Sequence, residues 1–505
     1  MRLAEHPSCT TNSVMSKDEN RSALLAKEDY WAIWIGGFLL LIALLLFWIN
    51  AAPIIDTIGQ AEATMSTHTP QSEAWQAAQD ELKNTKASTL TIGKFLKNLT
   101  SKPATWEGNP VASIYESGAY NKLPWLIALM TMFALLFGLA KSMMGERFTH
   151  YVKGFIFVFG IGLVAYTLGA QANMKTIGFG YAAWAIIIGL LISNTIGTPG
   201  WVQPALSTEL YIKTGLVILG AEILLSKILA IGLPGIFVAW IVTPIVLVST
   251  YWFGQKILKI SSKTLNMTIS ADMSVCGVSA AVATAAACKA SKEELTVAIG
   301  LSMIFTSVMM IVMPAFINYM GMPEILGGAW IGGTIDATGA VVAAGAFLGE
   351  KALSVAATIK MIQNVLIGVI AFAVAVYFAT KVEKTAGVSV GWSEIWKRFP
   401  KFILGFLGAS IFFSILYMGL GGNLGYSLID QGVIGAFSKN IRGWLFCLAF
   451  VSIGLSINFK ALRQHFIGGR PLILYLCGQA FNLCLTLLMA YIMFYLVFPE
   501  LTANI

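Results

Sequence analysis

The segment Ser274-Val-Cys-Gly-Val-Ser279 interrupts an apolar run with small residues, and Ser452-Ile-Gly-Leu-Ser456 does the same near the end of the chain. Both segments contain Gly-x-Ser. Glycine lets a helix break and lets a ligand approach the backbone, and serine caps a restarting half-helix or offers its hydroxyl. The two motifs therefore predict two discontinuous membrane helices, whose half-helix N-termini together form an anion site. Tight helix packing is the alternative explanation for such small residues.

The composition around these motifs is that of a membrane protein. Of the 505 residues, 57% are hydrophobic and 11% are charged, whereas soluble domains carry about 25% charged residues. This small number of charged residues cannot cover a surface that faces water. The chain therefore needs the lipid bilayer as its solvent. The net charge of +8 does not indicate nucleic-acid binding, because the Lys and Arg residues lie in short loops between apolar runs.

The hydropathy pattern predicts an all-α polytopic fold with about thirteen transmembrane helices. Loops on one side carry eighteen Lys and Arg residues and loops on the other carry six, which predicts a cytoplasmic N-terminus and an external C-terminus in the inner membrane. The predicted spans are 30–50, 123–144, 151–171, 178–197, 207–230, 234–254, 266–289, 293–319, 325–348, 352–380, 401–420, 441–460 and 471–498.

The last ten spans divide into two sets of five, which predicts a 5+5 inverted repeat preceded by three N-terminal helices. The hydrophilic segment between the first two spans is expected to be an outer cap or linker. The predicted divisions are a cytoplasmic tail (1–29), a membrane anchor (30–50), an extracytoplasmic segment (51–121), two additional helices (122–177), repeat 1 (178–319) and repeat 2 (320–505).

Five of the ionisable residues inside predicted spans are candidates for a functional role, because a central charge costs about 2.5–3.5 kcal/mol on insertion scales. Lys213 and Asp272 lie within two turns of predicted helix ends, where snorkelling toward the membrane surface explains them. Glu222, Asp336 and Lys360 lie deeper. Lys360 is expected to pair with Glu222 or Asp336, and the pattern leaves open whether this pair is structural or linked to substrate or protons.

Four segments in order resemble the YeiH-type family, whose members are described as sulfate exporters. The resemblance covers about 178–498 and implies a fold similar to those of bile-acid symporters and NhaA-type antiporters, with crossing discontinuous helices and scope for a homodimer. Many members carry His and Gln before the Val-Val-Ala-Ala-Gly motif, where this chain has Asp336 and Ala340. The segments are Gly189–Asn194, Ser270–Thr284, Gly332–Gly345 and Gly454–Leu462.

We therefore expect a secondary active transporter of a small anion, sulfate or an organosulfonate, that works by elevator-like alternating access without a cofactor or metal. The coupling ion, H⁺ or Na⁺, is left open. Candidate coupling residues are Glu222, Asp336 and Lys360. Candidate substrate-binding residues are Ser274, Cys276, Gly277, Ser279, Ser452, Gly454, Ser456 and Asn458.

Two other kinds of transporter with the same fold are the alternatives, namely a Na⁺/H⁺-type cation antiporter and a Na⁺-coupled organic-anion symporter. Antiporters of the NhaA type place paired carboxylates in the helix equivalent to 293–319. Here that helix carries Glu293 and Glu294 at its outer end and no acidic residue in its middle. An intramembrane enzyme is not expected, because Cys276 has no histidine within the spans to act as its base.

Overall fold

The computed structural model describes residues 27–70, 72–116, 120–176, 180–223, 225–382, 399–458, 469–503 and 505. Nearly all regular structure is helical, apart from a short antiparallel hairpin that pairs β1 (Tyr115–Glu116) with β2 (Tyr120–Asn121). The helices of the first half are α1 (Glu28–Ile49), α2 (Ala52–Thr67), α3 (Glu73–Asn84), α4 (Thr91–Leu99), α5 (Leu123–Met143), α6 (Phe148–Gly169), α7 (Ala172–Thr176), α8 (Tyr181–Thr195), α9 (Thr208–Glu222), α10 (Leu225–Ile236) and α11 (Val242–Lys256).

The second half begins with two interrupted helices, and its helices are α12 (Lys263–Ser274), α13 (Gly277–Cys288), α14 (Lys292–Tyr319), α15 (Glu324–Thr334), α16 (Thr338–Leu348), α17 (Glu350–Asn364), α18 (Leu366–Tyr377), α19 (Phe402–Leu420), α20 (Gly422–Gly425), α21 (Lys439–Ser456), α22 (Arg470–Tyr491) and α23 (Pro499–Ala503). Four π-helical stretches extend or join them, namely Phe237–Ile241, Phe378–Val382, Tyr426–Ser438 and Ile492–Val497.

Every one of the thirteen predicted spans contains helix. Within the described residues, eight helices are long and apolar enough to cross a membrane, so the protein is polytopic. The other five predicted spans correspond to the short helices α8 and α9, to the two interrupted helices, and to α21. The inverted relation between the two halves stays a prediction.

One predicted span, 207–230, ends earlier than expected. Helix α9 stops at Glu222, because Ile223 turns to an extended conformation (φ −104°, ψ 100°). The Ser410 hydroxyl donates a hydrogen bond to the freed Ile223 carbonyl at 2.5 Å. The next helix begins at Leu225 and passes through Pro234 into α11. Helix α9 is packed between α1, α19 and α21 at the centre of the largest hydrophobic core.

The structure also contains an interruption that the sequence did not predict. As expected, one helix stops at Ser274 and restarts at Gly277. The span predicted at 325–348 is likewise divided into α15 and α16, and the residues between them, 335–337, are not helical. Helix α21, in which a break was expected near Gly454, instead continues to Ser456. Residues 459–468, where a second half-helix would follow, lie outside the described residues.

The hydrophilic segment is folded onto the helical core. The backbone N–H of Ala87 donates to the Ser427 hydroxyl at 3.1 Å, and the Trp444 indole donates to the carbonyl of Ser101 at 3.1 Å. Thr100 is fully buried and donates to the carbonyl of Ala436 at 3.3 Å. This segment therefore contacts α21 and the π-helical stretch that precedes it.

Candidate substrate and coupling site

A cavity of about 680 Å³ leads from the surface to the two helix interruptions. Its mouth lies where α1 begins and carries charges of both signs. Lys213 pairs there with Asp29 at 2.9 Å and with Glu209 at 3.5 Å, so this lysine is ion-paired at the cavity mouth. The charged lining residues are Lys27, Glu28, Asp29, Glu209, Lys213 and Lys401, and the residues at the inner end are Cys276, Ser279, Ala337, Thr338 and Asn364.

The inner end is built by the first residues of the half-helices α13 and α16. The Cys276 sulfur lies 3.6 Å from the Thr338 hydroxyl, and the buried Asn364 amide donates to the same hydroxyl at 3.1 Å. Gly277 has a φ of +41°, and a Cβ built on it would lie 3.1 Å from the Ser302 hydroxyl. The break therefore depends on a glycine, as the sequence predicted.

These two helix starts have N–H groups available for a ligand. The residues that precede the half-helices, Cys276 and Ala337, make no side-chain capping hydrogen bond. The first N–H groups of a helix have no intrahelical partner, and the helix dipole adds a partial positive charge there. Ser279 is exposed to the cavity in the first turn of α13. The arrangement therefore suits a small anion.

The opposite ends of the interruptions are held by side chains of α17. The Gln363 amide donates to the carbonyls of Ser274 at 3.0 Å and Gly333 at 3.3 Å, which joins α12 to α15. Lys360 donates to the Val275 carbonyl and, at 2.7 Å, to the Gln363 side chain. An ammonium group suits the negative end of a helix. Ser274 therefore contributes its backbone to this junction, while its hydroxyl donates to Ala271 at 3.3 Å.

Two carboxyl groups are buried beside this junction. Asp272 is 0% exposed and Asp336 is 1% exposed. The prediction that Asp272 snorkels to the membrane surface is therefore wrong, because α12 ends inside the protein and buries its last turns. The Tyr475 hydroxyl donates to one oxygen of Asp336, whereas neither oxygen of Asp272 has a hydrogen-bond partner among the described residues.

Glu222 and Asp336 were the alternative partners expected for Lys360, and Glu222 lies in a different ion cluster from Lys360. Lys360 is 1% exposed and interacts electrostatically with Asp336 and Asp272. Glu222 is instead bound by Arg442, whose Nε lies 3.0 Å from one carboxylate oxygen and whose terminal nitrogen lies 2.9 Å from the same oxygen. Of the two partners expected for Lys360, the structure therefore favours Asp336 and excludes Glu222, because α9 ends at Glu222 beside α21.

The second Gly-x-Ser motif does not contribute to the inner end of the cavity. A Cβ on Gly454 would lie 2.5 Å from the Ile186 carbonyl, so this glycine permits close contact between α21 and α8. The hydroxyls of Ser452 and Ser456 donate to carbonyls of their own helix, each at 2.7 Å. The Asn458 amide lies 3.4 Å from the Ser193 carbonyl. These contacts favour the alternative explanation for the second motif, tight helix packing.

Several residues at the site were not recognised in the sequence as site residues. Thr338 and Tyr475 carry no distinguishing pattern, because single Thr and Tyr residues are common in apolar helices. Gln363 and Asn364 stand out as adjacent amides in an apolar run, and both are 2% exposed. Asp272 gave the strongest signal that was available, because buried acidic residues in membrane helices are rare.

Relatives of this chain are known from several bacteria. A sequence model of the family described as "Conserved hypothetical protein 698" matches residues 153–475. A UPF0324 membrane protein of Nitratidesulfovibrio vulgaris is 50% identical over 100% of both chains, and one of Rhodopirellula baltica is 51% identical over 95% of this chain and 92% of its own. The Escherichia coli K12 UPF0324 inner membrane protein YeiH is 25% identical over 64% of this chain and 89% of its own.

No solved structure matches the chain. The family assignment therefore rests on the sequence model, which covers more than half of the residues, and on relatives of about 50% identity along the whole chain. The name of the Escherichia coli relative agrees with the resemblance found in the sequence. By these matches, the protein belongs to the UPF0324 family of membrane proteins, the YeiH-type family.

Proposed function

We propose that the protein is a secondary active transporter of the inner membrane that carries a small anion, sulfate or an organosulfonate, by elevator-like alternating access. One observation carries this proposal, namely that the cavity ends on two half-helix N-termini, at Gly277 and Thr338. Discontinuous helices that present their N-termini to an anion are a recurring device of secondary transporters. We also keep the cytoplasmic N-terminus as part of the proposal, together with a homodimer as an assembly that the family resemblance allows.

Neutral groups around the two helix starts supplement the backbone donors. The Ser279 hydroxyl and the Asn364 amide both line the cavity. A tetrahedral oxyanion offers several acceptor oxygens, and hydrogen bonds from such groups satisfy them without adding a fixed positive charge. An uncharged site of this kind also allows release, because it holds the anion less strongly than a buried arginine would.

The test is counterflow of radiolabelled sulfate into proteoliposomes loaded with unlabelled sulfate. We expect wild-type protein to accumulate label and Ser279→Trp to fail, because the indole fills the cavity at its inner end. Val248→Trp is the matched control, since Val248 is 65% exposed on the outside of α11. Accumulation by the wild type and the control supports the proposal, and competing sulfonates and carboxylates then rank the substrates. Folded wild-type protein that accumulates no label removes sulfate as the substrate.

A further inference from the structure

The two buried carboxyl groups belong to different interrupted helices that meet at one place. Asp272 lies in the last turn of α12, and Asp336 lies between α15 and α16. Electrostatic interactions connect each of them with Lys360 of α17 and with Tyr475 of α22. The Ser302 hydroxyl of α14 lies close to both carboxyl groups. Five segments of the chain thus enclose one acidic pair.

The hydrogen bonds at this pair do not support two ionised carboxylates. Both oxygens of Asp272 and the Oδ1 atom of Asp336 lack a hydrogen-bond partner among the described residues. The Lys360 ammonium group, which could compensate one negative charge, already donates to the Val275 carbonyl and to Gln363. Burial of a charge without donors is far more costly than burial of the neutral acid. One lysine and two carboxyl groups are therefore balanced when the pair holds one proton.

The acidic pair lies next to the inner end of the cavity. Ala337 and Thr338, which follow Asp336 directly in the chain, line the inner end of the cavity. Gly277, the first residue of α13, has no side chain between its backbone and Asp336. A Cβ built on Gly277 would lie 3.5 Å from the Cβ of Asp336. A negative charge on Asp336 would oppose an anion at the two helix starts. Protonation of the pair removes that charge, so proton binding and anion binding favour each other.

We propose that Asp272 and Asp336 share one exchangeable proton, which the protein takes up together with the anion that binds at the starts of α13 and α16. The coupling of proton to anion rests on the proposed function, whereas the protonation itself does not. Lys360 compensates one negative charge of the pair, whether or not the shared proton is bound. The other titratable groups that face the pair are Tyr475, which donates to Asp336, and the Cys276 thiol at the break.

Infrared difference spectra recorded on detergent-solubilised full-length protein after a pH jump test the protonation directly. We expect wild-type protein to show the carbonyl band of a protonated carboxylic acid that disappears at high pH. Asp272→Asn and Asp336→Asn should each lose this band, because the single remaining carboxylate is compensated by Lys360. Glu294→Gln is the matched control and should keep it, since Glu294 belongs to the capping box of α14. A band that survives in either Asp variant would overturn the proposal.

The same spectra distinguish a proton from a metal cation. Sodium added at constant pH should leave the wild-type band unchanged, and a band that sodium removes would assign the site to the cation and overturn the proposal. In proteoliposomes, sulfate counterflow by the wild type should slow as pH rises, and counterflow by Asp272→Asn should lose this dependence on pH. Absent sulfate counterflow with an intact infrared band removes sulfate as the substrate and leaves the shared proton in place. Counterflow without the band refutes the shared proton alone.

Discussion

The thiol of Cys276 lies 3.6 Å from the hydroxyl of Thr338, so the starts of two half-helices from separate parts of the chain meet at the inner end of one cavity. The first N–H groups of each half-helix have no partner within their own helix. A ligand that enters the cavity would therefore reach both helix starts together.

The cavity predicts which face of α13 a reagent can reach. Ser279 is exposed to the cavity, whereas Thr284 on the same half-helix is 1% exposed. In a cysteine-free background, Ser279→Cys should react with a water-soluble maleimide added to the side that carries the N-terminus. Thr284→Cys is the matched control and should remain unlabelled. Equal labelling of the two positions, measured by gel shift, would contradict the geometry of the cavity.

Removal of the Lys360 charge should destabilise the protein and abolish transport. Lys360→Met leaves two buried carboxyl groups without a cation, and loss of one partner from a buried ion pair costs about 3–5 kcal/mol. Thermal unfolding in detergent measures the loss. Addition of Asp336→Asn to Lys360→Met should recover part of the stability, because one unpaired carboxyl group is also removed. Additive losses in the double variant would show that the two side chains do not interact.

The Glu222–Arg442 pair should affect stability without a specific effect on substrate binding. Arg442 is 2% exposed and binds Glu222 through two nitrogens, so Arg442→Met should cost about 3–5 kcal/mol by leaving a buried carboxylate unpaired. Glu350→Gln is the control, because the Glu350 side chain is 74% exposed and its pair with Arg442 contributes little. Both variants should retain the wild-type affinity for substrate in whatever protein remains folded.

The contact between α8 and α21 should not tolerate a side chain at Gly454. A Cβ there would lie 2.5 Å from the Ile186 carbonyl, so Gly454→Ala should destabilise the protein by about 1–3 kcal/mol through overpacking. Gly408→Ala is the control, because a Cβ at Gly408 on α19 meets nothing within 4 Å. Thermal unfolding of the two variants should differ clearly, and equal midpoints would contradict this explanation of the second motif.

Lys102, in the hydrophilic segment, should make stability depend on pH. Burial, and then the charge of Arg442, lower the pKa of Lys102 from 10.5 to about 8. Between these two values the unfolded chain binds more protons than the folded protein, so the free energy of unfolding rises with pH across pH 8–10.5. Below pH 8 both states are protonated and this contribution is constant. The free energy of unfolding of Lys102→Met, measured by chemical denaturation across this pH range, should rise less steeply with pH than that of the wild type.

The first interruption was predictable because its cause is local. Gly277 stands in a run of small residues and adopts a φ of +41°, which the Gly-x-Ser pattern favours. The second interruption, at 335–337, follows Gly332 and Gly333, and the same pattern of small residues occurs in uninterrupted membrane helices. No periodicity distinguishes the two cases. What distinguishes them is tertiary contact, such as the hydrogen bond from Gln363 to the Gly333 carbonyl.

Which buried charged residues pair with each other was less predictable from the sequence than the presence of those charges. The sequence placed Glu222 and Lys360 at similar depths, and it could not show that α9 lies beside α21, where Arg442 binds Glu222. Asp272 was assigned to a membrane surface because hydropathy gives no information on whether a helix ends at the lipid boundary or inside the protein. The broad class, a polytopic membrane protein of the YeiH type, depends only on composition and on local motifs.

The docking of the hydrophilic segment fixes part of the molecule in place. Ser101 and Thr100 bind Trp444 and Ala436 through hydrogen bonds, and the Asn440 amide donates to Thr100 at 3.3 Å. These bonds hold the start of α21 in place, and the sequence model of the family begins only at residue 153, after the hydrophilic segment. For the elevator-like cycle proposed above, we therefore expect the helices held by these bonds to form the stationary frame and the interrupted helices with their acidic pair to move across the membrane.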